Sequence, residues 1–470
     1  MSSTSPHHPP ELLAPAGDWD SLRAAVANGA NAVYFGLSNF NARHRATNFT
    51  LEELPEVMSY LHARNVRGYL AFNTLIFSDE LPEAVKFITA AANAKVDALI
   101  VQDLGLAHLI HTFSPTLPIH GSTQMTLTES RGINFVHTLG VQRVILAREL
   151  STTDIKLIST KTDVPLEVFI HGALCVAYSG QCLTSESLGG RSANRGQCAQ
   201  ACRLPYDLIV DGQIKDLGDK AYLLSPQDLA AHDLVDDLLK IGICSLKIEG
   251  RLKSAHYVAA ATQTYRAALD ASFANRKFQI SNSQSRNLAQ SFSRGFTHGF
   301  LDGPDHQKLV HARFPKSRGI RIGTVVAKSP HGAVIDIGTA VGAGVGAASH
   351  DCARPTSKVA LSIKAVHTYP NFVRAKKGVA YGPHDLEDRS SINSSRQQTI
   401  APARAAARLS RLAHRRHVSL ERLASALSLL GLPTLPLRPA VPPSQAAQYL
   451  PVHATHQNHP LPENSRAGAR

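Results

Sequence analysis

Beginning at Glu11, short unbroken apolar runs alternate with stretches whose apolar residues recur at helical spacing. The run Glu11-Leu-Leu-Ala-Pro-Ala-Gly reads as a strand closed by a turn. Asp18 or Asp20 can cap the helix that follows, which carries Leu22, Ala25 and Val26 on one face and stops at Gly29. The same beat gives helices over 52–64 and 80–95. It gives further strands at 32–36, 66–73, 97–103, 117–120, 143–147, 166–171, 221–224 and 244–250. Strands without polar alternation, separated by helices, belong to a parallel sheet covered on both faces. Nine candidates over some 250 residues fit a closed (β/α)8 TIM-like barrel better than an open doubly wound sheet. A barrel of this kind takes eight, so 221–224 is assigned to, or beside, an insertion. The predicted fold class is therefore α/β.

Polar residues cluster at the C-terminal ends of these strands: Asn73, Gln102, Asp103, His120, Gln124, Arg148, Glu149, His171, Lys247, Glu249 and Arg251. In a parallel barrel that end is the active-site face. The alternative is that strand-to-helix turns are polar anyway. Lys247, Glu249 and Arg251 are the candidates for substrate contact, with a capping salt-bridge cluster below the rim as the competing reading.

The rhythm breaks between His171 and Lys220. Small and polar residues dominate there, and Leu208-Ile-Val-Asp-Gly-Gln-Ile suggests a hairpin around Asp211-Gly212. The barrel is expected over 11–300 with a Cys-rich insertion at 172–219. After a helix at 255–272, the residues around Arg294-Gly-Phe-Thr-His-Gly-Phe read as a linker. Residues 301–350 continue it and open a small β-domain, with two strands within 318–345. Residues 351–470 read as a basic, low-order tail, disordered from 431 on.

Composition changes this picture in one respect. The net charge of +13 invites a polyanionic partner, but it is unevenly spread. Residues 351–470 hold 17 Lys and Arg against 6 Asp and Glu, and the first 350 hold 32 against 30. Charge thus points to nucleic acid mainly through the tail, and a basic tail is often just a solvated, disordered one. There is no run of about 18 apolar residues, so no membrane span is expected, and the N-terminus lacks a signal-peptide core. A cytoplasmic protein is the expectation. No GxGxxG or GxxxxGK[ST] nucleotide motif is present, nor His-Glu-x-x-His.

Four of the six cysteines, Cys175, Cys182, Cys198 and Cys202, fall within 28 residues as C-x6-C-x15-C-x3-C. Clustered thiols in a cytosolic chain suit metal or redox chemistry more than disulfides. Structural zinc favours two tight knuckles, and only the second pair qualifies. An iron–sulfur cluster tolerates irregular spacing. Gly172, Gly180 and Gly196 would let the backbone wrap closely, and Arg191, Arg195 and Arg203 would offset thiolate charge. Spacing alone leaves both metals open, and buried structural thiols remain the plain alternative. Cys244 reads as a core residue and Cys352 has no assigned role.

The stretch Glu167-x-Phe-x-His-Gly-Ala-Leu-Cys-x4-Gly-x-Cys-Leu-x-Ser, followed by Gly-x-Cys-x3-Cys-Arg, resembles the signature of the collagenase-like peptidase U32 family. Glu11-Leu-Leu-Ala-Pro-Ala-Gly, Ala32-Val-Tyr-Phe-Gly and Leu246-Lys-Ile-Glu-Gly-Arg-Leu-Lys-Ser look like further family blocks, and the likeness covers roughly 11–300. The resemblance implies an iron–sulfur protein of oxygen-independent hydroxylation. Cys175, Cys182, Cys198 and Cys202 would hold a 4Fe–4S cluster, and prephenate is implied as cosubstrate. Relatives modify a 23S rRNA cytidine or the tRNA wobble uridine. Phe292-Ser-Arg-Gly-Phe-Thr-His-Gly-Phe-Leu and Arg318-Gly-Ile-Arg-Ile-Gly-Thr-Val are most similar to the rRNA branch. The family also implies two alternatives, a peptidase and an iron–sulfur partner subunit in ubiquinone hydroxylation.

Overall fold

The computed structural model describes residues 10–329, 332–336 and 379–381, with side chains from 10 to 320. Seven parallel strands run in sequence: β1 (Glu11–Pro15), β2 (Ala32–Gly36), β3 (Arg67–Phe72), β4 (Ala98–Val101), β5 (Ile119–Gly121), β6 (Val141–Ile145) and β7 (Leu166–Ala173). An eighth, Ser245–Ile248, pairs in parallel with both β7 and β1 and closes the ring. The expected (β/α)8 barrel is thus the fold. Strand interiors are buried almost throughout, as their unbroken apolar runs require.

The helices start where side chains satisfy their free amides. Asp18, rather than Asp20, caps Trp19–Ala27 by accepting from the Ser21 amide at 2.7 Å. Asp103 does the same for Leu104–Phe113 through the Leu106 amide. It therefore spends its carboxylate on a helix and not on the mouth.

The lower interior of the barrel is charged. Glu11 on β1 is buried and accepts from Arg143 on β6 at 2.9 Å, Tyr69 on β3 at 2.6 Å and Ser245 at 3.2 Å. Arg67 closes at 2.5 Å on the oxygen that Tyr69 also binds. Glu167 on β7, fully buried, takes Lys247 at 2.9 Å and lies 3.5 Å from Arg143. Two carboxylates and three cations thereby tie together five of the eight strands.

β7 overshoots the ring. Its end, His171, Gly172 and Ala173, pairs antiparallel with Ala230, Leu229 and Asp228. Phe296–Thr297 then adds in parallel to Asp228–Leu229. The segment after the helix Ala255–Phe273, read from sequence as a linker, is therefore folded onto the barrel. It forms the helix Asn282–Ser291 and is anchored by buried Arg294, which reaches Asp228 through its amide at 2.8 Å and its guanidinium at 2.5 Å. Its anchor is a charge pair with a residue far away in sequence, which periodicity does not register.

The surplus strand, Tyr222–Pro226, lies outside the ring and pairs antiparallel with Val310–Ala312. The hairpin around Asp211-Gly212 is present as Ile209–Val210 and Gln213–Ile214. Arg321–Ser329 pairs antiparallel with Gly332–Asp336 and with Val379–Tyr381. Apart from those last three residues, the tail 351–470 lies outside the described residues. No helix among the described residues is long and apolar enough to cross a membrane.

Glu167→Ala would leave Lys247 charged and unpaired inside the barrel. It should cost about 3–5 kcal/mol in urea unfolding. A loss of about 1 kcal/mol or less, the range of exposed pairs, would show that the network does not hold the barrel.

Candidate active site

A cavity of about 270 Å³ opens at the C-terminal ends of the strands. The eighth strand supplies Lys247 to its floor and the following turn supplies Glu249 and Arg251. Asn73, Gln124 and Arg148, in the turns that follow β3, β5 and β6, also line it. β7 runs past the ring and delivers the chain to Leu174 and Cys175, so the insertion folds across the mouth. All four clustered cysteines line this cavity.

The insertion is fastened there by close backbone approaches. Gly180 (φ +74°) and Gly196 (φ +78°) occupy left-handed backbone, and a Cβ would fall 2.1 Å from the Gln124 carbonyl oxygen and 2.3 Å from that of Asn41. Only glycine fits at either point. Arg203 is the internal clasp. Its guanidinium donates to the carbonyls of Pro226 (2.5 Å) and Leu174 (3.2 Å) and to the Ser225 hydroxyl (2.7 Å).

The cavity wall is strongly cationic. Eight Lys and Arg side chains line it against one carboxylate, Glu249, among the described residues. Burial by itself would raise the Glu249 pKa, but Arg43, Arg148 and Arg251 overcome it and hold it at about 2. Arg43 binds one Glu249 oxygen at 3.1–3.2 Å and Arg148 stands 3.6 Å from the other. Burial lowers Arg251 to about 10, and it donates to Asn41 at 3.1 Å. Burial also lowers the Lys247 pKa, against the pull of Glu167. Its ammonium lies 4.3 Å from the centre of the Tyr34 ring, a cation–π contact. Both readings weighed for Lys247 meet here, since it is a salt-bridged group below the rim that still lines the cavity.

The thiols differ in access. Cys175 is exposed and the other three are partly covered. Burial pushes Cys202 up to about 11 against Arg203, and the other three thiols add to the rise. As placed, no group of three or more His, Cys, Asp or Glu among the described residues is gathered closely enough to hold a metal ion. Binding would have to remove protons and draw the sulfurs inward.

Several sequence candidates do not reach the cavity. His120 stands in the barrel interior edge-on to Tyr69, and burial holds its pKa well down. His171 is buried beside Tyr265, its pKa lowered to about 3 by burial and by His232. Gln102 is buried and does not line the cavity. Glu149 binds the amide and hydroxyl of Ser179 and so anchors the insertion. Arg195, proposed to offset thiolate charge, pairs instead with Glu80 and lies over Phe77. Arg191 is exposed and does not line the cavity. Cys244 donates to the Leu166 carbonyl at 3.2 Å, and Cys352 lies outside the described residues. Arg43, Arg45, Arg294 and Tyr34 were missed. Arg43 and Arg45 sit on a long irregular loop after β2 that carries no motif.

Residues 17–311 match the model of Peptidase family U32. The 23S rRNA 5-hydroxycytidine C2501 synthase of Escherichia coli (strain K12) is 39% identical over 328 residues, covering 68% of this chain and 49% of that protein. The chain thus spans about half the length of that relative. The tRNA hydroxylation protein P1 of Bacillus subtilis (strain 168) is 36% identical over 314 residues, 65% of this chain and 74% of that one. A protein named collagenase in Porphyromonas gingivalis is 32% identical over 320 residues, 64% and 75% of the two chains. The solved structure of the U32 peptidase Mk0906 aligns at TM-score 0.38 and 12% identity, over 53% of this chain and 96% of that one.

The Glu249 contribution to stability is complete above the ordinary carboxylate pKa near 4.5 and is lost as pH falls through about 2. Wild type should therefore exceed Glu249→Gln in stability at neutral pH, and the gap should close between those values. A gap independent of pH, measured by urea unfolding at several pH values, would contradict the ion-pair assignment.

Proposed function

Because the chain belongs to peptidase family U32, we propose that it hydroxylates an RNA base, a 23S rRNA cytidine or a tRNA wobble uridine, without using molecular oxygen. One observation carries this reading. Four thiols and eight cationic side chains line the same cavity, in a chain with relatives named for rRNA and tRNA hydroxylation.

Cys175, Cys182, Cys198 and Cys202 would hold a 4Fe–4S cluster, which when bound supplies one-electron chemistry that side chains lack. The donor set fits, with four soft sulfurs on one cavity and an insertion pinned by glycines that leave no room for a Cβ. In net terms a base carbon exchanges hydrogen for hydroxyl, a two-electron oxidation. An anionic cosubstrate, prephenate, would give up the hydroxyl and take the hydrogen, accepting the same two electrons. Lys247 and Arg251, which line the cavity, would receive its carboxylates, while Glu249 would keep Arg43 and Arg148 in position. The base must leave its stack to enter, and exposed Arg45 at the rim suits its phosphates.

A peptidase reading has the Porphyromonas relative's name behind it and one local observation. The Ser179 hydroxyl lies 2.9 Å from a Glu149 oxygen, within reach of a base. The same carboxylate also holds the Ser179 amide at 3.0 Å, which is how a loop is anchored.

The deciding measurement is mass spectrometry of rRNA and tRNA nucleosides from a deletion strain carrying wild type or Cys182→Ala. The hydroxylated nucleoside should return with wild type only, and anaerobically purified Cys182→Ala should lose most of its iron. Unchanged nucleosides, together with peptide cleavage abolished by Ser179→Ala and kept by Cys182→Ala, would replace this reading with the peptidase.

A further inference from the structure

We propose that Tyr178 is the platform on which the incoming RNA base stacks, an inference that rests on the RNA-modification reading above. The Tyr178 ring lines the cavity yet is 66% exposed, whereas the other two aromatic rings on its wall, Tyr34 and Phe169, are buried. An aromatic ring contributes to a fold by being buried. This one is held in water, where it adds little to stability.

The backbone that carries the ring is fixed. The next residue, Ser179, donates through its amide and its hydroxyl to Glu149, at 3.0 and 2.9 Å. Its carbonyl accepts from the Thr126 hydroxyl at 2.5 Å. Gly180 presses on the Gln124 carbonyl so closely that no side chain could replace its hydrogen. The backbone beneath the ring is thus pinned between the turns that follow β5 and β6. A prepositioned aromatic face loses little freedom when a flat partner lands on it.

The partner's chemistry follows from the surroundings. Tyr178 lies between Cys175 and Cys182 in the chain, and all three line the cavity. Around them stand cations, and Glu249, the one carboxylate on the wall among the described residues, is already held by Arg43. Cations for phosphates beside an aromatic face for a base are the two parts of a single-stranded nucleic-acid site. Eight cationic side chains against one carboxylate on the wall, among the described residues, suit a polyanion.

The test uses the full-length protein and a short single-stranded RNA carrying a fluorescent cytosine analogue, with wild type, Tyr178→Phe and Tyr178→Ala compared. Stacking should quench the analogue with wild type and with Tyr178→Phe. Tyr178→Ala should lose the quench and bind about 5- to 150-fold more weakly, with unchanged far-ultraviolet circular dichroism. If Tyr178→Ala binds and quenches as wild type does, the platform is wrong and the RNA reading stands. If wild type binds no RNA while its iron content is intact, the RNA reading itself fails and the platform with it.

Discussion

The barrel depends on putting charge where a sheet of this kind has its least water. Glu11 and Glu167, both buried, gather Arg67, Arg143 and Lys247 from three other strands. Such a cluster is tolerable only when every lone pair and proton is used. Tyr69 and Ser245 take up much of the remaining Glu11 capacity. The network also decides where function can sit. Lys247 is its uppermost member, and it forms both the lid of the buried charges and the floor of the cavity.

Above that floor the excess of cations grows. Glu249 stands almost alone among cations, and its depressed pKa measures how positive the mouth is. At Cys202, burial raises the thiol pKa and Arg203 opposes only part of that rise. The insertion brings the thiols there through three kinds of fastening: the prolonged β7, the two glycine contacts and the Arg203 clasp. The site is therefore composite, its floor belonging to the barrel and its roof to the insertion.

Much of the barrel was legible because eight doubly buried strands leave an unbroken apolar signature, and the surplus strand could be set aside by counting. The four cysteines were legible because that residue type is rare and their clustering is local. What the sequence hid was long-range charge. Arg43 meets Glu249 across 206 positions, and Arg294 meets Asp228 across 66. Neither pair has a periodicity or spacing to betray it. The same reason explains the mistaken linker. It also explains why Glu149 and Asp103, polar residues at strand ends, proved to be an anchor and a helix cap.

Ring closure has a consequence for how the molecule comes into being. The eighth strand joins residues near 245 to residues near 11, as the Ser245–Glu11 hydrogen bond across 234 positions shows. Contacts this distant must wait for the intervening chain, and closing them is slow. During synthesis from the N-terminus, the cysteine segment emerges before the strand that completes the floor beneath it. The order of the elements along the chain thus makes the roof of the cavity before the strand that completes its floor.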